Sequence, residues 1–328
     1  MTVSRRKFIT AVGAATVASA APSIIRAQQL ENVNYLLPAP QSLPTFAPWV
    51  LAQHRGYYRR EGLNVTFQAG KGGVDVAKQL GAGNAPIGGG LGDTPIIARA
   101  QGVPVKAVGI MGGRSLHQLF LMEGVGVNDI KDLKGKTMTV ISYQDTSYYV
   151  LLGILATAGL TKADVDIQAA GPVGVWQLAV QGKSVGFTGP IDFGLAARNA
   201  GGKVRYIASD KYVQSMAQAI LASDEMIQKR PDLVRKLVRS TLQGLADILK
   251  DPKSAVTDYI AAAPSFKGRE AYLEQAFKEY IEYTYAGAKV LGAMEPERLS
   301  VVQDYYVKSG IVPKAVPLTD LYTNQFIG

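Results

Sequence analysis

Short apolar segments alternate with longer helical segments through the first two thirds of the chain, and this alternation constrains the fold more than any other feature. The first block runs from Val33 to Ile110, with β-branched or glycine-rich apolar runs separated by helical stretches. The same rhythm restarts at Thr137 and continues to Ile207. Such β-α alternation favours a mostly parallel sheet that is covered by helices on both faces. The sequence therefore predicts an α/β fold with two lobes, each a mostly parallel sheet flanked by helices.

The order of the blocks predicts that one lobe is inserted into the other. A chain of about 300 residues exceeds the size at which a single hydrophobic core keeps growing. The segment Ala217–Ala222 is expected to return as a strand to the first sheet, and the remainder is almost wholly helical. Two crossings, near Gly112–Leu116 and Ser209–Met216, would then form a hinge. The predicted boundaries are residues 28–114 and 216–328 for lobe 1, with a helical C-terminal tail, and residues 115–215 for lobe 2.

The first 27 residues have the pattern of an export signal. A twin arginine, Arg5-Arg6, precedes an uncharged stretch from Ala11 to Ala21, about half the ~20 residues that a membrane-spanning helix needs. Cleavage after Ala27 is preferred to cleavage after Ala20, because it leaves a clean start just ahead of the first strand. The chain has no cysteine to acylate or to form a disulfide. We therefore predict export to the periplasm by the twin-arginine route, without a lipid anchor.

The charge pattern bears on possible partners. Loss of residues 1–27 removes four basic residues and no acid, so the formal net charge falls from +9 to +5. The remaining lysines and arginines are scattered singly among acids, whereas a nucleic-acid-binding protein clusters them in a patch or stripe. The sequence therefore gives no support for nucleic-acid binding.

Three stretches carry a resemblance to a known family. Residues 51–63, LAQHRGYYRREGL, follow the pattern A-x-x-x-G-[FY]-[FY]-x-x-E-G-[LI]; residues 130–136 read IKDLKGK, and the helical tail opens at Arg230-Pro231-Asp232. The chain resembles the periplasmic substrate-binding proteins of the sulfonate, taurine and nitrate importers and the related thiamin-precursor-binding group. This resemblance implies a type II periplasmic-binding-protein fold, a small-molecule ligand between the lobes, permease and ATPase partner subunits, no cofactor and a monomeric state.

Candidate ligand contacts in lobe 1 follow from the rule that ligands bind beyond the carboxyl ends of parallel strands. Thr45 and Phe46 lie just ahead of the first helix, where the family's ligand contacts fall, although a helix cap and a staple residue explain them equally well. Thr94 follows the glycine-rich run Gly88–Gly92. At the first crossing, Arg114 and Ser115 are candidates, since an arginine there would bind a sulfonate or carboxylate bidentately. A hinge salt bridge is the alternative for this arginine.

Lobe 2 contributes candidates from three loops. Tyr143, Asp145 and Thr146 combine an aromatic ring, an acid and a hydroxyl at the start of a predicted helix, where the family binds the polar end of its ligand. Trp176 would form a stacking wall, with core packing as the alternative. Asp192 lies where family members carry a short proline motif that lines the pocket, and it is either a ligand contact or an N-cap.

The charges of these candidates shape the expected ligand. Asp93, Asp145 and Asp192 oppose the single Arg114, which disfavours a small inorganic anion. We expect a small polar organic ligand, namely a sulfonate, a taurine-like compound or a carboxylate, that is delivered to an ABC importer. The alternatives are a pyrimidine or thiamin-precursor ligand and a periplasmic sensor role. An enzyme on this fold is less favoured, because no catalytic triad, metal site or carboxylate pair is evident around the two histidines.

Overall fold

The computed structural model describes residues 29–328, so the predicted export signal lies outside the described residues. The strands are β1 (Glu31–Leu37), β2 (Leu63–Ala69), β3 (Ile87–Leu91), β4 (Val105–Ile110), β5 (Gln118–Met122), β6 (Thr137–Val140), β7 (Asp166–Ala169), β8 (Gly186–Gly189), β9 (Val204–Ile207) and β10 (Gln218–Ser223). The α-helices are α1 (Ala47–His54), α2 (Tyr57–Arg60), α3 (Gly73–Gly81), α4 (Thr94–Ala100), α5 (Thr146–Thr157), α6 (Gly171–Val180), α7 (Ile191–Asn199), α8 (Asp224–Lys229), α9 (Pro231–Lys250), α10 (Pro252–Ala262), α11 (Glu270–Tyr280), α12 (Pro296–Lys308) and α13 (Leu318–Leu321). Short 3-10 turns occur at Pro44–Phe46, Ile130–Leu133, Ser209–Lys211 and Pro264–Phe266, and a π-helical turn at Ile281–Tyr285.

The strands form two five-stranded sheets, in the orders β2-β1-β3-β10-β4 and β7-β6-β8-β5-β9. In the first sheet β1 is parallel to β2 and β3, and β10 is antiparallel to β3 and β4. In the second sheet β6 is parallel to β7 and β8, and β5 is antiparallel to β8 and β9. Each sheet is therefore mostly parallel with one reversed strand, which confirms the predicted two-lobed α/β fold.

The reversed strand of each sheet is the strand that follows a crossing. Strand β10 follows the second crossing and returns to the first sheet, as predicted from its apolar run. Strand β5 follows the first crossing and was not predicted, because no helical segment precedes the short run QLFLM to mark it as part of the alternation. Each crossing thus leads directly into an interior strand of a sheet, next to its edge strand.

The C-terminal tail packs against both lobes. Helix α9 lies along α1 in lobe 1, while α11 packs on α7 in lobe 2. Arg198 on α7 pairs with Glu279 on α11 at 2.8 Å, and the Tyr305 hydroxyl on α12 donates to the Gly153 carbonyl on α5. The tail is therefore part of the interface between the lobes. Between residues 29 and 328, no helix is long and apolar enough to cross a membrane.

Candidate ligand-binding cleft

A cavity lies between the lobes, and the empty space within its lining, including the part open to solvent, is about 490 Å³. Both lobes and the first crossing contribute to its lining, which is mainly apolar. The lining residues are Pro38, Ala39, Leu43, Thr45, Phe46, Trp49, Gly73, Gly89, Gly90, Leu91, Leu116, His117, Ile141, Asp145, Thr146, Pro190, Phe193 and Gln218.

Two polar side chains beside the crossings, those of His117 and Gln218, belong to this lining, and we call them the floor of the cavity. The Leu116 N–H donates to the Met216 carbonyl at 3.1 Å, so the two crossings are paired side by side. His117 ends the first crossing just before β5, and Gln218 opens β10 just after the second crossing. Both side chains are buried, with 3% and 2% of their surfaces exposed.

His117 is held by lobe 2. Its Nε2 lies 3.1 Å from the Thr146 hydroxyl and 3.4 Å from Oδ1 of Asp145. Burial lowers the pKa of His117, and the Asp145 carboxylate opposes this shift. Burial therefore favours the neutral imidazole, and its Nδ1 has no hydrogen-bond partner among the described residues.

Gln218 is held by lobe 1. Its Nε2 donates to the Thr45 hydroxyl at 2.7 Å and also to the Thr45 carbonyl. The other amide atom, Oε1, is buried and has no partner within residues 29–328. Both floor residues thus carry a buried polar atom that the protein itself leaves unsatisfied.

Aromatic side chains form one wall of the cavity. The turn Pro44–Phe46 leads into α1, which places Phe46 and Trp49 on the cavity side, packed edge to face with ring centroids 6.0 Å apart. Phe193, in the first turn of α7, also belongs to the lining. Such rings favour a flat or apolar ligand surface.

The mouth of the cleft is closed by contacts between residues 71–74 of lobe 1 and residues 142–145 of lobe 2, which we call the rim. The Val74 N–H donates to the Gln144 carbonyl at 3.0 Å, and the Ser142 hydroxyl donates to the Lys71 carbonyl at 2.7 Å. Between them, Gly72 has a φ of +112°. A Cβ atom there would lie 2.6 Å from the Gln144 carbonyl oxygen and 2.7 Å from the Asp145 nitrogen. Only glycine fits this closed rim.

Four of the ten predicted site residues line the cavity, namely Thr45, Phe46, Asp145 and Thr146. Asp145 also caps α5, because its Oδ1 accepts from the Ser147 N–H at 2.8 Å. Thr94 lies just behind the lining, fully buried, with its hydroxyl accepting from the Leu91 N–H at 2.9 Å.

Two predicted residues at the first crossing belong to the hinge and do not line the cavity. Arg114 is exposed, and its Nη1 donates to the Glu282 carbonyl at 3.1 Å. The Ser115 hydroxyl donates to Asp210 and accepts from Arg298 at 3.2 Å. The predicted bidentate anion contact of Arg114 therefore has no counterpart here, since the first crossing directs this side chain to the surface.

The remaining three predicted residues also lie outside the lining. Tyr143 is 50% exposed, and its hydroxyl donates to the Ile167 carbonyl at 2.9 Å. Trp176 is half-buried and packs against the hydrophobic core, which is the alternative considered for it. Asp192 is buried in the first turn of α7 and accepts from the Tyr280 hydroxyl at 2.5 Å.

Burial raises the pKa of two of the three acids that were expected in the cleft. Burial raises the pKa of Asp192 to about 7, and the hydrogen bond from Tyr280 partly offsets this shift. Burial likewise raises the pKa of Asp93 to about 6, against hydrogen bonds from Tyr306 and Ser215. Neither carboxyl lines the cavity, so Asp145 is the acid that does.

The cavity lining contains no lysine or arginine in the described part of the chain. Its polar side-chain groups are hydroxyls, one amide, one imidazole, one carboxylate and the indole N–H of Trp49, which also has no partner among the described residues. Across residues 29–328, no group of three or more His, Cys, Asp or Glu side chains is arranged to hold a metal ion. Thr45 and Asp145, predicted from their loops, are among the lining residues, whereas the two floor residues and Trp49 were not predicted.

Two mostly parallel sheets, each with one reversed strand after a crossing and a cavity between them, define a two-lobed periplasmic-binding-protein fold of type II. Solved structures of similar proteins have the same fold. The alkanesulfonate-binding protein SsuA from Xanthomonas axonopodis pv. citri, bound to MOPS, has a TM-score of 0.69 and 17% identity, covering 90% of this chain and 98% of that chain. The periplasmic aliphatic sulphonate binding protein SsuA from Escherichia coli has a TM-score of 0.65 and 16% identity, covering 90% and 93%.

The family follows from the sequence comparison. The family model described as NMT1/THI5 like matches residues 43–255, and the chain belongs to this family. The riboflavin-binding protein RibY of Chloroflexus aurantiacus is 26% identical over 88% of this chain and 89% of its own length. The 4-amino-5-hydroxymethyl-2-methylpyrimidine phosphate synthase of Schizosaccharomyces pombe is 25% identical over 84% of this chain and 80% of its own length.

Proposed function

We propose that this protein is the solute-binding component of an ABC importer and that it captures a small, uncharged nitrogen heterocycle of the pyrimidine or flavin type. The observation that carries this proposal is the charge of the cavity. The lining has aromatic walls, a neutral His117 and the carboxylate of Asp145, and no cation. This composition favours the pyrimidine alternative over the sulfonate, taurine-like or carboxylate ligand that the sequence first suggested.

The energetic argument against a sulfonate is direct. A sulfonate keeps its negative charge at all physiological pH values, and burying such a charge without a cation or several donors is strongly unfavourable. In this cavity the carboxylate of Asp145 would add repulsion, and Arg114 on the surface does not compensate. An uncharged ring avoids both costs and stacks against Phe46, Trp49 and Phe193.

The similar proteins support a ring-shaped ligand. Two relatives that cover most of the chain are named for riboflavin and for a pyrimidine phosphate. Their names indicate different activities, binding in one case and synthesis in the other. We favour binding, because the site offers a single histidine and a single carboxylate, and the chain has no cysteine for a thiol nucleophile or a cysteine-ligated iron.

The proposed mechanism is closure of two lobes around the ligand. Contacts that exist only in the closed form shift the equilibrium between open and closed states. Lobe boundaries at residues 28–114, 216–328 and 115–215, export by the twin-arginine route to the periplasm, and delivery to a permease and its ATPase belong to this proposal. Ligand contacts would come from Thr45, Phe46, Asp145 and Thr146 together with the floor.

A thermal-shift screen of the purified protein tests the proposal. Aminopyrimidines and flavins would be compared with taurine, alkanesulfonates and aromatic carboxylates at equal concentrations. A ligand present at 100 times its Kd stabilises the folded state by about 2.7 kcal/mol. We expect saturable stabilisation by members of the heterocycle group. Stabilisation by sulfonates or carboxylates alone would refute the proposed ligand class.

A further inference from the structure

We propose that the floor selects its ligand by hydrogen-bond polarity: His117 and Gln218 present two buried acceptors, so the ligand must bring two N–H or O–H donors. This inference rests on the proposed function and specifies the ligand further. The matching chemistry is a ring with an exocyclic amino group or ring N–H groups, such as a 4-aminopyrimidine or a ring imide.

The neighbours of His117 fix its tautomer. A neutral imidazole carries one proton, and a carboxylate next to one ring nitrogen favours the proton on that nitrogen. Oδ1 of Asp145 lies 3.4 Å from Nε2, and the Thr146 hydroxyl lies 3.1 Å from the same atom. The proton therefore belongs on Nε2. The unpartnered Nδ1 is then a lone-pair acceptor.

The neighbours of Gln218 fix the orientation of its amide. A backbone carbonyl only accepts hydrogen bonds, and the Thr45 carbonyl lies next to the side-chain amide of Gln218. A flipped amide would bring Oε1 of Gln218 against the Thr45 carbonyl oxygen, and two acceptors repel each other. The NH₂ group must therefore face Thr45, and the unpartnered Oε1 is the second acceptor.

Both acceptors are buried, so their unsatisfied state has a cost that a ligand can remove. Leaving a buried polar atom without a partner destabilises the closed form, and a ligand donor relieves this. The crossings that carry the two residues are paired through Leu116 and Met216. A ligand that donates to both residues therefore contacts both strands of the hinge region at once.

The first test varies the ligand and leaves the protein unchanged. Calorimetric titration would compare 4-aminopyrimidine with 4-methylpyrimidine, which has the same shape and no donor. We expect the methyl compound to bind at least about tenfold more weakly, because buried acceptors then stay unpaired. Equal affinities would overturn this inference and leave the proposed function standing. Preference for an alkanesulfonate over both pyrimidines would overturn the proposed function itself.

The second test varies the protein. His117→Gln keeps an amide near the position of Nε2 and removes the acceptor at Nδ1, whereas His117→Asn keeps a polar group near Nδ1. We expect His117→Gln to weaken 4-aminopyrimidine about tenfold and to leave 4-methylpyrimidine unchanged, with His117→Asn in between. Equal losses for both probes would show a structural role and overturn the inference.

A third measurement needs no ligand. The chain has two histidines, and the other, His54, is exposed. Nitrogen-15 NMR of the imidazoles, with His54→Gln for assignment, reads the tautomer directly. We expect His117 to be neutral at pH 7 with its proton on Nε2. A proton on Nδ1, or a charged imidazolium, would overturn the inference.

Discussion

The floor and the rim of the cleft join the same two lobes by different means. At the rim, Val74 meets Gln144 and Ser142 meets Lys71, and both hydrogen bonds end on backbone carbonyls. At the floor, buried side chains carry unpaired polar atoms. Backbone contacts between the lobes close the cleft whatever ligand it holds, whereas unpaired acceptors distinguish one ligand from another. Closure and recognition are thus assigned to different sets of contacts in the same cleft.

The largest expected effect is a pH dependence of the free energy of unfolding that comes from buried Asp192 and not from the rim. The folded protein holds the proton of Asp192 up to about pH 7, whereas an unfolded aspartic acid ionises near pH 3.9. The free energy of unfolding therefore falls as pH rises from about 4 to 7. Asp192→Asn should remove the Asp192 part of this slope, leaving that of Asp93, and should stabilise the protein at pH 8 by on the order of a few kcal/mol, measured by urea unfolding.

The control for this prediction is an exposed acid. Asp304→Asn on α12 should leave the pH dependence unchanged, because that side chain is exposed. The two rim hydrogen bonds involve no carboxyl group. The rim should therefore not contribute to the pH dependence of stability, whereas buried Asp192 should. An identical pH slope in wild type and Asp192→Asn would contradict the account.

The next effect tests the rim. In Gly72→Ala the added Cβ would clash with the backbone of Gln144 and Asp145 in the closed form. The strained backbone adds about 1–3 kcal/mol for any residue other than glycine. Affinity for the ligand that the screen identifies should fall about tenfold to a hundredfold, and small-angle scattering should show a more open molecule.

Gly83→Ala provides the matched control for the rim. Gly83 also has a positive φ, 75°, but a Cβ there meets nothing within 4 Å. We expect a small loss of stability and unchanged affinity. Wild-type affinity in Gly72→Ala would mean that the rim contacts are not needed for closure.

Asp145 connects the two regions, since its backbone belongs to the rim and its carboxylate approaches His117 of the floor. Asp145→Ala should lower the free energy of unfolding by about 1 kcal/mol through loss of the α5 cap and should weaken ligand binding as well. Ser223→Ala removes the cap of α8, where the hydroxyl accepts from the Met226 N–H. It should cost similar stability and leave affinity intact, and equal affinities in the two variants would remove Asp145 from the site.

The smallest effect concerns a residue at neither the floor nor the rim. Trp176 packs on the core and does not line the cavity, contrary to the stacking wall expected from its loop. Trp176→Ala should keep ligand affinity within about twofold while lowering the melting temperature. A large loss of affinity at unchanged stability would indicate that Trp176 contacts the ligand after all.

The sequence predicted the rim better than the floor, for a physical reason. Hydroxyl-rich loops before helices are recognisable locally, and so the segment around Asp145, which forms the lobe 2 side of the rim, was singled out. The floor depends on the pairing of two crossings that are about a hundred residues apart, which no local pattern encodes. For the same reason β5 was missed, and Arg114 was predicted in the cleft although its side chain is exposed and donates to the Glu282 carbonyl. The alternation of strands and helices, in contrast, predicted both sheets.

The most direct test of the central claim is a calorimetric titration at pH 7 with two probes, a 4-aminopyrimidine and an alkanesulfonate of similar size. A cavity with two buried acceptors, one carboxylate and no cation predicts saturable binding of the aminopyrimidine and none of the sulfonate. Binding of the sulfonate in preference to the aminopyrimidine would contradict the account.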